Sequence, residues 1–216
     1  MGRFVDLSHT IRHGLVTYPG LPAPVITDHL SREASKDRYA KGTSFQIARL
    51  DMVVNTGTYV DAPSHRWERG RDVADLALES LADLEGCVVD APGPAIDERA
   101  FAGRDLRGRA VLVRTGWSRH FGTPAYGSGH PYLVASAAQA LVDAGAALVG
   151  IDSLNIDDTS DLARPVHSLL LQHDIPIVEH LTALDALREP FRFFAVPPKV
   201  HGVGSFPVRA FAILRA

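Results

Sequence analysis

Seven short runs of β-branched and apolar residues, each bounded by Gly, Pro or Asp, recur along the whole chain and dictate a sheet as its framework. They cover residues 47–54, 87–90, 110–114, 147–152, 175–179, 192–196 and 208–214. The last contains Arg-Ala-Phe-Ala-Ile-Leu, apolar enough to be buried on both faces. Only one segment is plainly helical. Residues 131–144 are rich in Ala and Leu, with Pro131 at the start and Gly145 just past the end. Shorter helices are expected over 164–173 and 182–187, and Pro/Gly-rich loops over 18–24, 91–94 and 195–207. Strand-rich ends around a middle in which helices alternate with strands predict an α/β or α+β fold with flanking helices. The 216 residues suit a single domain, 1–216, able to bury about 70% of its unfolded surface.

Charge and composition exclude several function classes. Twenty-two Lys and Arg against 25 Asp and Glu leave a net charge of −3, with no basic excess to neutralise nucleic-acid phosphates. No run approaches 18 uncharged apolar residues, and the first residues form no apolar signal segment, so a cytoplasmic protein is expected. The one cysteine, Cys87, sits in Gly86-Cys87-Val88-Val89 and reads as a buried strand residue, so neither a disulfide nor a cysteine metal site can form within the chain. Walker A, G-x-S-x-G and H-E-x-x-H motifs are absent. Gly202-Val203-Gly204 runs on into Ser205-Phe206-Pro207 and fails G-x-G-x-x-G.

The densest polar cluster, Asn55-Thr56-Gly57-Thr58-Tyr59-Val60-Asp61-Ala62-Pro63-Ser64-His65-Arg66, follows the run 47–54 and is expected as a loop leaving a strand end. Asp61 offers a hard oxygen ligand, and His65 an imidazole that can bind metal or move a proton near neutral pH. By itself, Asp before Ala-Pro is equally a turn former.

Ordered matches along nearly the whole chain give the cluster a context. They begin at Val5-Asp6-Leu7-Ser8-His9 and Tyr18-Pro19-Gly20, and continue through Arg114-Thr115-Gly116-Trp117, His130-Pro131 and Gly150-Ile151-Asp152-Ser153. They close with His167-Ser168-Leu169-Leu170, Ile177-Val178-Glu179-His180-Leu181 and Pro207-Val208-Arg209-Ala210. In these the chain resembles the cyclase family, which includes bacterial kynurenine formamidases and isatin hydrolases. The resemblance implies a swivelling β/β/α fold, a homodimer or homotetramer, and a divalent-metal site for zinc or manganese. The family's motif is H-x-G-T-H-x-D-x-P-x-H. By position, Asp61 matches its bridging carboxylate, His65 its proton shuttle, and His167 and Glu179 two distant ligands.

Two departures stand out. Asn55 and Tyr59 occupy the positions of two ligand histidines. Asn offers only a carbonyl oxygen, and Tyr ligates well only as phenolate, from a pKa near 10. Asp61, His167 and Glu179 alone would make a three-ligand site for one ion. A second ion would need Asn55 and Tyr59, or water, to complete its site. The resemblance implies hydrolysis of an aryl formamide or small cyclic amide, with His65 as acid and base and Tyr18, Trp67 and Phe45 stacking on the substrate. Lactone hydrolysis or dehydration on the same scaffold, and a ligand-binding relic, are the alternatives.

The remaining polar residues have plainer expectations. Asp152, Asn155 and Asp157 read as a loop bordering the site. His9, His13, His29, His120, His130, His173, His180 and His201 are expected mostly at the surface or at caps. Arg209, in an apolar run, calls for an ion-pair partner, and the charged stretch 66–75 for solvent.

Overall fold

The structure is a computed structural model that describes residues 2–91 and 93–215. In chain order the strands are β1 (Arg3–Asp6), β2 (Val25–Leu30), β3 (Ile47–Asp51), β4 (Tyr59–Asp61), β5 (Leu84–Asp90), β6 (Ala95–Ile96), β7 (Ala110–Arg114), β8 (Tyr132–Leu133), β9 (Leu148–Ile151), β10 (Ile177–Glu179), β11 (Phe191–Phe194), β12 (Ser205–Pro207) and β13 (Phe211–Leu214). The α-helices are α1 (Arg32–Ser35), α2 (Ala135–Ala144) and α3 (Pro165–Gln172).

Nine strands form one mixed sheet in the order β1-β13-β11-β5-β7-β9-β10-β4-β12. Its centre, β5-β7-β9-β10, is parallel, and both flanks are antiparallel. Parallel strands covered on both faces need apolar side chains throughout, and β9 is buried at every position. The helices α2 and α3 connect β7 to β9 and β9 to β10, and cover one face through Val111, Leu141, Ile151, Val166 and Leu170. The other face holds a second core that joins Val5 of β1 to Val60 of β4 and to Phe191 and Phe193 of β11. Strands at opposite ends of the sheet order share that core, so the sheet curls on itself. Hydrogen bonds from Thr182 N to Leu7 O (3.0 Å) and from Val208 N to Thr58 O (2.9 Å) close the curl. This is the mixed α/β, β-rich architecture that the sequence implies. No helix among the described residues is long and apolar enough to cross a membrane.

Several local expectations are corrected. The run 47–54 ends as a strand at Asp51, and the polar cluster after it is no loop throughout, since Tyr59–Asp61 form β4. The helix expected over 131–144 starts at Ala135, after the short strand β8. That expected over 182–187 shrinks to one 3-10 turn, Leu184–Ala186. The loop expected over 195–207 contains β12. Only Ala212 is fully buried within β13, and Arg209 lies outside that strand, exposed and paired with Asp6 at 2.7 Å. Within the charged stretch, Asp72 is buried and caps the turn Val73–Asp75.

A hairpin, β2–β3, stands apart from the main sheet. Every residue of it except Leu30 is exposed. Val25, Ile26, Tyr39, Phe45, Ile47 and Leu50 are six of the twelve large apolar side chains that are exposed among the described residues.

Candidate metal centre

Strand register assembles the site. Pairing sets Tyr59 opposite Glu179, and Asp61 opposite both Ile177 and Ser205. Side chains alternate along a strand, so Tyr59, Asp61, Glu179 and Ser205 share the helix-covered face, while Val60 and Val178 enter the opposite core. The helix α3 brings His167 down onto this face.

Asp157 fixes that histidine. Its Oδ1 accepts from Val166 N (2.7 Å) and its Oδ2 from His167 N (2.9 Å), satisfying two free amides at the start of α3. The same Oδ2 lies 2.6 Å from His167 Nδ1. A carboxylate only accepts, so Nδ1 carries a proton and it is Nε2 that faces the site. It lies 3.7 Å from Asp61 Oδ2 and 3.6 Å from Glu179 Oε1. Both distances exceed a hydrogen bond. They match the edges of a coordination tetrahedron, about 3.4 Å for bonds near 2.1 Å. Asp61 is fully buried and its Oδ2 has no hydrogen-bond partner among the described residues. A buried carboxylate oxygen with no partner is costly, and a cation would satisfy it. Ligand atoms of Asp61, His65 and His167 all lie within 4.8 Å of one another. The donor set therefore fits a divalent ion.

His65 enters the cluster from the end of the turn Pro63–His65. Ser205 Oγ donates to Asp61 Oδ1 and lies 2.9 Å from His65 Nδ1. A hydroxyl has one proton, so Ser205 accepts from His65 Nδ1–H. That leaves His65 Nε2 free to take a proton. Gly204 makes the fit possible, because a Cβ there would come 2.5 Å from the His65 Cα and backbone N.

Tyr59 and Asn55 are engaged differently from ligands. Tyr59 Oη donates to Glu179 Oε2 at 2.5 Å. Burial, with the charges of Glu179 and Asp61, pushes the phenol well above its usual range, while hydrogen bonding from Asn55 opposes them. Tyr59 is thus a neutral donor that orients Glu179. Ile156 N holds the other oxygen of Glu179 at 2.6 Å. Without a cation, burial and the Asp61 charge raise the Glu179 carboxyl, partly offset by His167. Burial also opposes charging His167, but the hydrogen bond to Asp157 and the charges of Asp61 and Glu179 overcome it and lift the imidazole to about 10, so a divalent ion would displace the Nε2 proton.

Asp61, His65, His167, Glu179, Tyr59 and Asn55 thus fall in one cluster. The three proposed stacking residues do not join it equally. Tyr18 follows Thr17, whose hydroxyl accepts from Gly57 N (2.8 Å), which sets Tyr18 at the edge of the segment leading to Tyr59. Trp67 donates its indole N–H to Ser168 O (3.2 Å) and packs on the helix-side core. Phe45 is 52% exposed and lies edge-on to Tyr39, beside the hairpin.

Three histidines expected outside the core are inside. His130 and His180 are buried, and His9 is half-buried with its ring stacked on Phe121 at 3.6 Å. His180 accepts or donates at Nδ1 with Tyr126 Oη (2.8 Å) and has φ of 56°, unusual for a residue with a Cβ. Nothing in the periodicity marks these positions. Ser205, Gly204 and the His167-holding role of Asp157 were likewise hidden, because each acts across a contact that sequence spacing does not reveal. Asp152 borders the site only structurally, accepting from Thr115 N, Thr115 Oγ1 and Gly116 N. His201, in the Gly-rich loop, pairs with Asp72 at 2.8 Å.

This fold agrees with what comparison with known proteins finds. The sequence profile of the Cyclase family matches residues 5–158, and the chain belongs to that family. It is 26% identical over 209 residues to a kynurenine formamidase of Bacillus mycoides, covering 96% of each chain. It is 27% identical to that of Bacillus cytotoxicus, covering 96% of this chain and 95% of the other. A solved structure described as a potential metal-dependent hydrolase with cyclase activity superimposes with a TM-score of 0.83 at 25% identity over the full length of both chains. Isatin hydrolase A from Labrenzia aggregata also gives a TM-score of 0.83, at 21% identity, over 99% of this chain and 94% of the other.

Proposed function

We propose that this protein is a metal-dependent hydrolase of a carbon–nitrogen bond, acting on an aryl formamide or a small cyclic amide. The observation that carries the reading is His167 Nε2, set 3.7 Å from the buried, partnerless Asp61 Oδ2 and 3.6 Å from Glu179 Oε1, with His65 beside them. The similarity to kynurenine formamidases supports the choice of substrate class.

Asp61, His167 and Glu179 would hold one zinc or manganese ion, and Tyr59 and Asn55 would orient Glu179 rather than ligate. When bound, such an ion polarises the scissile carbonyl and lowers the pKa of water toward ~7. His65 Nε2 takes a proton from the attacking water as its oxygen bonds to the carbonyl carbon. Ser205 holds the imidazole in that tautomer. As the C–N bond breaks, His65 returns the proton to the leaving nitrogen, so the products are a carboxylic acid and an amine. The chain is expected to work in the cytoplasm as a homodimer or homotetramer. The apolar exposure of β2–β3 supports self-association, since a lone hairpin with solvent on both faces is only marginally stable.

The test is elemental analysis of protein purified without chelators, alongside turnover of an aryl formamide. About one ion per chain is expected, lost in Glu179→Ala. His65→Ala should keep the metal and lose roughly 100-fold or more in turnover. Absence of metal under every loading condition would refute the reading and leave a ligand-binding protein.

A further inference from the structure

A cavity of about 230 Å³ opens directly onto the cluster and is lined by His65, Arg66, Asn155, Arg164 and His167. Two of its five lining residues are arginines and none is a carboxylate. Each guanidinium is anchored by one edge. Arg66 Nε donates to Ser168 Oγ at 2.9 Å, and its guanidinium lies 4.5 Å from the centre of the Trp67 ring. Arg164 Nη1 donates to the carbonyls of Asp158 and Asp161, at 2.5 and 3.3 Å. Neither has a carboxylate partner among the described residues. The remaining N–H groups, Arg66 Nη1 and Nη2 and Arg164 Nε and Nη2, are uncommitted. Asn155 is buried and its Oδ1 accepts from Asp157 N (3.0 Å), so its amide NH₂ is also left over.

Arg164 has φ of 49°, in the left-handed region that a side chain with a Cβ adopts at a cost, so a glycine there would fit the backbone without strain.

We infer that Arg66 and Arg164 form an anion clamp, and that the substrate bears a carboxylate beside the amide that is cut. This rests on the hydrolase reading and narrows it. Planar guanidinium groups suit a carboxylate because their parallel N–H groups match its two oxygens. The cavity is smaller than the ~300–1,000 Å³ typical of drug-sized ligands, so it fits a compact aromatic or aliphatic acid. The Asn155 amide supplies a further donor. His65 and His167 form the inner wall, which places the carboxylate outward of the scissile group.

The experiment compares 2-formamidobenzoate with its methyl ester in the wild-type protein, Arg66→Ala, Arg164→Gly and the double Arg→Lys variant. Arg164→Gly is chosen because it removes the charge without straining the backbone. The wild type should favour the acid. Either single charge removal should raise KM for the acid about 10–100-fold and change kcat/KM for the ester far less. The lysine pair should recover part of the loss, since it restores charge but not the fork. Equal effects on acid and ester, or no preference in the wild type, would overturn the clamp.

Should neither compound turn over, calorimetry with benzoate separates the clamp from the hydrolase reading. Binding to the wild type that is abolished in the double Ala/Gly variant would support the clamp while the hydrolase reading fails. No binding, or binding that the substitutions leave unchanged, would overturn it.

Discussion

Replacing Asp157 by Asn tests whether metal affinity is set by a residue that does not touch the metal. Asp157 is fully buried and accepts three hydrogen bonds, from Val166 N, His167 N and His167 Nδ1. Asn has nearly the same shape but one acceptor oxygen and an NH₂ group. It can keep an amide at the start of α3, but it cannot also accept from Nδ1 through the second position. The imidazole then loses the partner that fixes its proton on Nδ1 and aims Nε2 at Asp61 and Glu179. Removing such an outer partner of a ligating histidine costs about 10–100-fold in affinity, or about 1.4–2.7 kcal/mol. The helix loses up to about 1 kcal/mol more, as expected for weakened capping. Competition against a chromophoric chelator reads the first term, and urea unfolding of the metal-free protein reads the second. The expected result is weaker metal binding by at least tenfold, with stability lowered by about 1 kcal/mol. Unchanged metal affinity in a correctly folded Asp157→Asn variant would refute the assignment of Nε2 as a ligand.

Other consequences are equally direct. Tyr59→Phe should retain the metal, since the phenol acts as a donor to Glu179, but bind it several-fold more weakly; loss of all bound metal would instead make Tyr59 a ligand. Gly204→Ala should push His65 out of place, because the new Cβ would sit 2.5 Å from its backbone, lowering kcat about tenfold or more with metal content unchanged. His9 is held down to about 4 by burial. The unfolded imidazole titrates near 6.5, so the unfolded chain binds more protons between those values, and stability must fall as pH drops from about 6.5 toward 4. Urea midpoints measured across that window should fall less steeply in His9→Phe than in the wild type; parallel slopes would remove His9 from the acid response.

The parts of the fold legible in the sequence are those under one simple constraint. The strands β7, β9 and β10 are covered by core on both faces, so they are apolar up to Arg114 and Glu179, the last residues of β7 and β10, and read as nearly uninterrupted runs. The opposite conditions hid β2, β4 and β12. The first is solvated on both faces and so lacks alternation. The second carries Tyr59 and Asp61, whose polarity serves the site and breaks the apolar pattern. The third lies in a Gly- and Pro-rich stretch that resembles a loop. The proposed ligand set was legible only through family resemblance, because His167 and Glu179 by themselves look like residues needing any polar partner. Ser205 is 140 residues from His65, and no spacing rule links them. Asp157 could be placed near the site, as one of three polar residues after β9, but its double duty to helix and histidine depends on how α3 docks.

The register of β10, β4 and β12 has a consequence for how the chain finds its shape. Sliding β4 by one residue against β10 would turn Val60 toward the metal ligands and drive Asp61 and Tyr59 into an apolar core. The error would be penalised twice, by a stranded carboxylate and by a dismantled ion site. Chemistry and assembly are therefore checked by the same three strands. A divalent ion present during refolding would act as a proofreader of strand alignment, rewarding the one pairing in which Asp61, His167 and Glu179 meet.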